Sequence, residues 1–166
     1  RRLKVMLATA NELNIPTVTL CTGTRDPQDQ WHHHPDNTSK EAWRDLCLSM
    51  QQAIVWADEF NVDLGIEPEL ANVINSADKA RQLIDEMQSH RLKIIFDPAN
   101  LFEIEKADDQ RRIISHGIEC LGDRIVMAHA KDRMPDGAFC AAGTGFLDYP
   151  HFIRELQRAK FRGPVV

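Results

Sequence analysis

Apolar positions along the chain alternate between two patterns. A spacing of three to four residues is typical of amphipathic helices, and short continuous apolar runs are typical of strands buried on both faces. The helical spacing covers residues 3–13, 43–60, 80–87, 109–121 and 152–156. The apolar runs cover residues 17–21, 62–67, 92–97 and 125–129, and another begins at 163. This alternation predicts parallel strands that are covered by helices.

Local signals place several element ends. Thr38 and Glu41 form a capping-box pattern that predicts the start of the second helix. Gly122 is well placed to end the fourth helix, and Asp148 is well placed to cap the fifth. The polar segment 24–37 is long for a simple connection, and long loops of this kind are often functional.

Two architectures are compatible with this order of elements: a doubly wound open sheet and a (β/α)8 barrel. An open-sheet nucleotide-binding protein would carry a glycine-rich turn after an early strand. The sequence has only a GxG at residues 143–145, late in the chain. We therefore expect a single α/β domain over residues 1–166, of the TIM-barrel type, with about five parallel strands.

Three of the apolar runs end in a residue that can bind a metal. Glu67, Asp97 and His129 are 30 and 32 residues apart, about one strand–helix unit each. The carboxyl ends of parallel strands lie on one edge, so these side chains are predicted to converge. They are either ligands of one divalent metal or unrelated polar strand ends. Two carboxylates and one imidazole suit Mn²⁺, Mg²⁺, Co²⁺ or Zn²⁺ without selecting among them.

Composition and charge limit the kinds of binding partner and the cellular compartment that we expect for this chain. The net charge of -5 and the pI near 5.8 argue against a nucleic-acid-binding surface. No segment approaches the roughly 18 apolar residues of a membrane helix, so no membrane partner is expected. The four cysteines are scattered without a CxxC pair, which predicts reduced thiols in a cytoplasmic protein.

Three segments resemble one known family. Residues 65–69 (GIEPE), 97–100 (DPAN) and 129–133 (HAKDR) are similar to segments of the sugar phosphate isomerase/epimerase superfamily, the xylose isomerase-like barrels. This superfamily includes ketose 3-epimerases, inosose dehydratases and endonuclease IV repair enzymes. The resemblance extends over the whole chain and is poorly specific for a substrate. It implies that Glu67, Asp97 and His129 bind a catalytic divalent metal.

The resemblance also implies roles for other residues. Asn100 would face the sugar, and Lys131 and Arg133 would lie near substrate oxygens or a phosphate. In the isomerase or epimerase reaction Glu67 would remove a proton next to a carbonyl, and in the alternative dehydration Lys131 would supply the acid that protonates the departing hydroxyl. Family members take a fourth ligand, a glutamate, from the next strand, which here would start at Pro164. Since a complete barrel has about 250 residues, the resemblance implies a partial barrel.

Loop residues supply further candidates. Trp31 and Phe102 would form an apolar wall for a sugar ring, with ordinary loop packing as the alternative. Three consecutive histidines, residues 32–34, cannot all face one site, and His34 is the one predicted to contact substrate. Glu69 is expected to face solvent. Asp132 is a candidate to orient His129 or Lys131.

These inferences predict a metal-dependent sugar or sugar phosphate isomerase or epimerase that abstracts a proton next to a carbonyl. An inosose-type dehydratase on the same scaffold is one alternative. A second is a non-catalytic binding module that forms homo-oligomers, because exposed strand edges of a partial barrel need covering. An endonuclease IV-like nuclease is less favoured, since its DNA substrate requires a basic surface.

Overall fold

The computed structural model describes residues 2–166. Its helices are α1 (Arg2–Glu12), α2 (Lys40–Phe60), α3 (Ala77–Met87), α4 (Ala107–Leu121) and α5 (Tyr149–Arg158). Its strands are β1 (Thr17–Leu20), β2 (Asp63–Ile66), β3 (Leu92–Phe96), β4 (Ile125–Ala128), β5 (Lys131–Arg133) and β6 (Phe139–Ala141). Two short 3-10 helices lie at Pro35–Thr38 and Pro98–Asn100. The predicted α/β organisation is confirmed.

The main sheet contains four parallel strands in the order β1-β2-β3-β4. The spatial order follows the chain order, as in a barrel, whereas a doubly wound sheet reverses its order at a switch point. The predicted fifth strand is reduced to one parallel bridge, between Ala128 and Val165. The sheet therefore forms a consecutive parallel arc.

The core lies between this sheet and its helices. Leu64, Ile94 and Phe96 are fully buried on the strands, and Ile114 on α4 is fully buried against them. Gly117 lets α4 approach the sheet closely, because a Cβ at this position would lie 2.8 Å from the Phe96 ring. The same strands that build the core carry the candidate site at their carboxyl ends.

Most predicted helix ends are confirmed, and one is wrong. Asp148 caps α5 by accepting a hydrogen bond from the His151 N–H at 2.9 Å. The N-cap of α2 is Ser39 rather than Thr38, and its Oγ accepts from the Ala42 N–H at 3.0 Å. Thr38 belongs to the preceding 3-10 helix, where its hydroxyl donates to a backbone carbonyl. The N-cap of α2 therefore lies one residue later than predicted, because Thr38 is part of the 3-10 helix.

A hairpin that the sequence did not predict follows β4. Strands β5 and β6 pair antiparallel in the segment between the fourth apolar run and the helix that Asp148 caps. Asp132 organises this hairpin and is fully buried. Its carboxylate accepts four backbone N–H bonds, from Arg133, Gly143, Gly145 and Leu147. Asp132 therefore holds the hairpin together and does not orient His129 or Lys131 as expected.

Among residues 2–166, no helix combines the length and apolar character needed to cross a bilayer. All four cysteines are free thiols.

Candidate metal centre and adjoining cavity

The structure brings the three strand-end residues together. Glu67 follows β2, Asp97 follows β3 and His129 follows β4. The His129 Nδ1 lies 3.1 Å from Glu67 Oε1 and 3.7 Å from Asp97 Oδ2. One ligand atom of each residue lies within 4.8 Å of the other two. Parallel strands therefore place two carboxylates and one imidazole at a spacing that a single cation can bridge.

The Asp97 carboxylate is almost entirely buried and only half satisfied. Its Oδ1 accepts a hydrogen bond from the Ala99 N–H at 2.9 Å, which caps the Pro98–Asn100 turn. Its Oδ2 makes no hydrogen bond within the described residues. Lys131 Nζ lies 2.9 Å from this oxygen, so the contact is an ion pair by distance without hydrogen-bond geometry. A buried carboxylate oxygen without a hydrogen bond is costly, and a bound cation would satisfy it.

A short hydrogen-bonded chain connects the centre to Lys131. Asn100 Nδ2 donates to Glu67 Oε1 at 2.7 Å. Lys131 Nζ donates to Asn100 Oδ1 at 2.7 Å and lies 4.2 Å from the centre of the Phe139 ring. Asn100 thus fixes the Glu67 carboxylate and the Lys131 ammonium relative to each other. Phe139, on the hairpin, supports the ammonium through a cation–π contact.

The charge of the centre favours a cation. The carboxylates of Asp97 and Glu67 raise the pKa of His129 to about 9. His129 therefore holds a proton at neutral pH when no metal is bound. A metal that binds there replaces this proton, because only a neutral imidazole coordinates.

A cavity of about 880 Å³ opens beside the centre. Its lining includes Glu67, Asn100, Lys131, Arg133 and Trp31, five of the residues that the sequence singled out. This volume lies in the range of small-molecule sites. The cavity is large enough for a monosaccharide or a somewhat larger molecule.

The histidine loop contributes differently from the prediction. His32 and His33 line the cavity, whereas His34 is not among its lining residues. The His34 Nδ1 instead caps the first 3-10 helix by accepting a backbone N–H. His32 is held by Asp26, with 2.7 Å between Nδ1 and Oδ2. The position of His34 directly before the 3-10 helix determines this role, and three identical neighbours give no local signal for it.

Acidic lining residues were missed by the sequence reasoning. Glu69 is partly buried and lines the cavity, and it accepts hydrogen bonds from the Ala71 N–H and the Asn72 side chain. Burial raises the pKa of Glu69. Glu103 and Glu105 also line the cavity. Glu69 therefore does not face bulk solvent as expected.

Two other candidates are largely committed to packing. Phe102 is fully buried in the core and forms no wall of the cavity. Arg133 is also buried, and its Nε donates to the Ala99 carbonyl at 2.7 Å while Nη1 donates to the Gly137 carbonyl. Its guanidinium lies 4.1 Å from the Phe139 ring centre. Burial lowers the pKa of Arg133. Arg133 therefore links the hairpin to the turn that follows Asp97.

Comparisons with known proteins agree with this architecture. A family model described as "Xylose isomerase-like TIM barrel" matches residues 1–166. A search of curated protein sequences gave no match. Among solved structures, 3-keto-D-glucoside 4-epimerase from E. coli is 16% identical with a TM-score of 0.74, over 99% of this chain and 60% of that one. D-psicose 3-epimerase from Clostridium cellulolyticum H10, solved with D-tagatose, is 17% identical with a TM-score of 0.72, over 99% of this chain and 54% of that one.

A third similar structure contains a metal. The IOLI protein, whose crystal structure has a bound zinc atom, is 14% identical with a TM-score of 0.71, over 99% of this chain and 57% of that one. At these identities the similarity shows the fold. The chain spans between about one half and three fifths of the length of these three structures.

Proposed function

Because this chain belongs to the xylose isomerase-like TIM-barrel family, we propose that it forms the metal-binding part of a sugar isomerase or epimerase. One observation carries the proposal. Glu67, Asp97 and His129 converge next to a sugar-sized cavity, and a buried oxygen of Asp97 lacks a hydrogen bond there. The Lys131 ammonium lies 2.9 Å from this oxygen and compensates part of its charge, and a divalent cation bound by the three residues would coordinate the oxygen directly.

The donor set fits a divalent metal. Glu67, Asp97 and His129 would hold it through two oxygens and one nitrogen, a set that suits Mn²⁺, Mg²⁺, Co²⁺ or Zn²⁺. The zinc-containing similar structure agrees with this range without selecting within it. When bound, the metal supplies Lewis acidity that polarises a carbonyl and acidifies the neighbouring C–H.

Glu67 is the base in this proposal. Among the described residues, Asn100 and His129 form hydrogen bonds with its side chain, and both bonds involve Oε1. Oε2 is thus left to accept a proton from the substrate carbon. Asn100 holds the carboxylate in place and limits the motion needed for transfer.

Lys131 is the acid in this proposal. Its ammonium is fixed by Asp97, Asn100 and Phe139 and lines the same cavity as Glu67. It would donate a hydrogen bond or a proton to a substrate oxygen while Glu67 takes the carbon-bound proton. The two groups are joined through the single side chain of Asn100, which keeps base and acid at a fixed separation.

The charges of the lining favour a neutral sugar over a sugar phosphate. If Glu67 and Asp97 balance the two charges of a bound metal, three carboxylates of the lining remain: Glu69, Glu103 and Glu105. The cations there are Lys131 and Arg133, so the carboxylates that remain outnumber the cations. A phosphate dianion would meet net repulsion. The acidic lining also disfavours a DNA substrate.

Metal binding and proton exchange test the proposal. Calorimetric titration with Mn²⁺ should show one site in this cavity, lost in Asp97→Asn and retained in Glu105→Gln, which removes a lining carboxylate outside the ligand set. The intact chain with Mn²⁺ should exchange a ketose C–H next to the carbonyl for deuterium in D₂O, detected by NMR. Glu67→Gln should lose this exchange.

Two results would contradict the proposal. Unchanged Mn²⁺ affinity in a folded Asp97→Asn variant would place the metal elsewhere. Metal binding without exchange for any neutral ketose or aldose would favour the non-catalytic binding module.

A dehydratase is the second candidate, because a base and an acid linked through Asn100 also suit loss of a hydroxyl group. In the same samples a dehydratase would form an unsaturated ketone, which is visible by ultraviolet absorbance.

A further inference from the structure

A second cluster of metal-ligand side chains lies outside the cavity, on helices α3 and α4. Asp78 is in the first turn of α3, and His116 and Cys120 are on α4. Asp78 and His116 are exposed and Cys120 is partly buried. The site described above uses none of these residues, so the cluster needs its own explanation.

The geometry is close to that of a coordination site. His116 and Cys120 are four residues apart and therefore share one face of α4. The His116 Nε2 lies 2.9 Å from Asp78 Oδ1, and Cys120 Sγ lies 3.9 Å from the same oxygen. One ligand atom of each residue lies within 4.8 Å of the other two. Tetrahedral zinc with bonds of about 2.0–2.3 Å separates its ligand atoms by roughly 3.3–3.7 Å. Small side-chain rotations would reach this arrangement.

The surrounding charges also favour a cation. Besides Asp78, the carboxylates of Asp85 and Glu119 act on Cys120, against one cation, Arg81. Arg81 is itself engaged by Asp85 and Asp123 and donates to the Cys120 carbonyl.

We propose that Asp78, His116 and Cys120 form a second divalent-metal site that binds Zn²⁺ or Co²⁺ and joins α3 to α4. One thiolate, one imidazole and one carboxylate form a softer donor set than that of the first site, and it selects against Mg²⁺ and Mn²⁺. With three protein ligands, water takes the fourth position. The site is independent of the proposed sugar chemistry, because it shares no residue with the cavity.

Cobalt is the probe that separates the two sites. A Co²⁺–thiolate bond gives an intense sulfur-to-cobalt charge-transfer absorption in the near ultraviolet. The first site has no sulfur ligand and does not contribute to this band. Titration of the intact chain with Co²⁺ should produce the band with one equivalent at the second site. The band should be lost in Cys120→Ser and His116→Gln and retained in Asp97→Asn.

Cys47 supplies a matched control. Its thiol lies 3.7 Å from a carboxylate oxygen of Glu86 on a neighbouring helix, as Cys120 lies near Asp78. No histidine completes a three-ligand group there among the described residues. Cys47→Ser should therefore keep the full band, and Zn²⁺ should compete with Co²⁺ equally in this variant and in the parent.

Clear outcomes would overturn the site. They are no band in the parent, a band that persists in Cys120→Ser, a band lost in Cys47→Ser, or a Co²⁺ affinity that changes less than about tenfold in His116→Gln. The last would indicate binding by a single thiol. Circular dichroism of each variant verifies the fold. In the thermal unfolding of the parent, Zn²⁺ should raise the midpoint by more than it does in Cys120→Ser.

Discussion

Replacing Asp132 by asparagine tests whether the hairpin depends on one buried carboxylate. Oδ1 accepts from the Arg133 N–H at 2.8 Å and the Leu147 N–H at 3.0 Å. Oδ2 accepts from the Gly143 and Gly145 N–H groups, both at 3.0 Å. Asparagine has almost the same shape but keeps only one acceptor oxygen. Two backbone donors would then face an NH₂ group and lose their partners.

The magnitude follows from those two donors. A buried donor without an acceptor costs about 1–3 kcal/mol. We expect Asp132→Asn to lower the free energy of unfolding by roughly 2–6 kcal/mol, on the basis of two such donors. This is a large part of the total stability of an ordinary domain, about 5–15 kcal/mol. Urea unfolding followed by circular dichroism measures the change, with an unaltered m-value as the sign of an intact native state.

Asp136→Asn is the control for the same hairpin. Asp136 is exposed and accepts one backbone bond, from the Ala138 N–H at 3.0 Å. Asp136→Asn should change the free energy of unfolding by no more than about 0.5 kcal/mol. If the two variants were equally stable, the assignment of Asp132 as the organiser of the hairpin would be wrong.

Three further predictions concern the packing, the pH dependence and the helix start. Gly117→Ala should destabilise the fold by about 1–3 kcal/mol in thermal unfolding, because the new Cβ would lie 2.8 Å from Phe96. This overpacking outweighs the gain in helix propensity of about 1 kcal/mol. A stabilised variant would refute this. Burial raises the pKa of Tyr149 from 10.0 to about 12, so the folded state holds the phenol proton more tightly than the unfolded state does. This difference stabilises the fold fully below pH 10.0, and the stabilisation is lost as the pH rises towards 12. Urea unfolding at several pH values should show that Tyr149→Phe lacks this component, and parallel curves for the two proteins would contradict it. Ser39→Ala should cost about 1 kcal/mol as the loss of an N-cap, and Thr38→Val should cost clearly less; the opposite order, by urea unfolding, would restore Thr38 as the cap.

The order of strands and helices could be predicted because it depends on local periodicity. Each strand of the main sheet is a short apolar run, and each helix carries an apolar stripe of its own. The convergence of Glu67, Asp97 and His129 needed one further assumption, that the strands are parallel. In a parallel sheet the carboxyl ends of all strands lie on the same edge, so residues that follow successive strands in the sequence lie near one another in space.

The rest of the cavity depends on contacts that no local pattern encodes. Glu69 turns inward because the N–H groups and side chains of the segment that follows capture its carboxylate. His34 turns away from the cavity because it caps a short helix. The hairpin forms around Asp132, whose four partners lie up to 15 residues along the chain. Such residues look like ordinary loop polar groups until the fold is known.

Metal binding depends on the main sheet, whereas proton transfer also depends on the hairpin, so the two should respond differently to a change in the hairpin. The three candidate ligands follow three different strands of the main sheet, and the hairpin strands form a separate sheet of their own. Lys131 and its support Phe139 belong to the hairpin that Asp132 organises. Under conditions where Asp132→Asn remains folded, we therefore expect it to bind Mn²⁺ within a few-fold of the parent affinity and to lose most of its C–H exchange with ketoses. Equal loss of both activities would mean that the hairpin also maintains the ligand geometry. Retention of both would mean that Asn100 and Asp97 alone hold Lys131 in place and that proton transfer does not depend on the order of the hairpin.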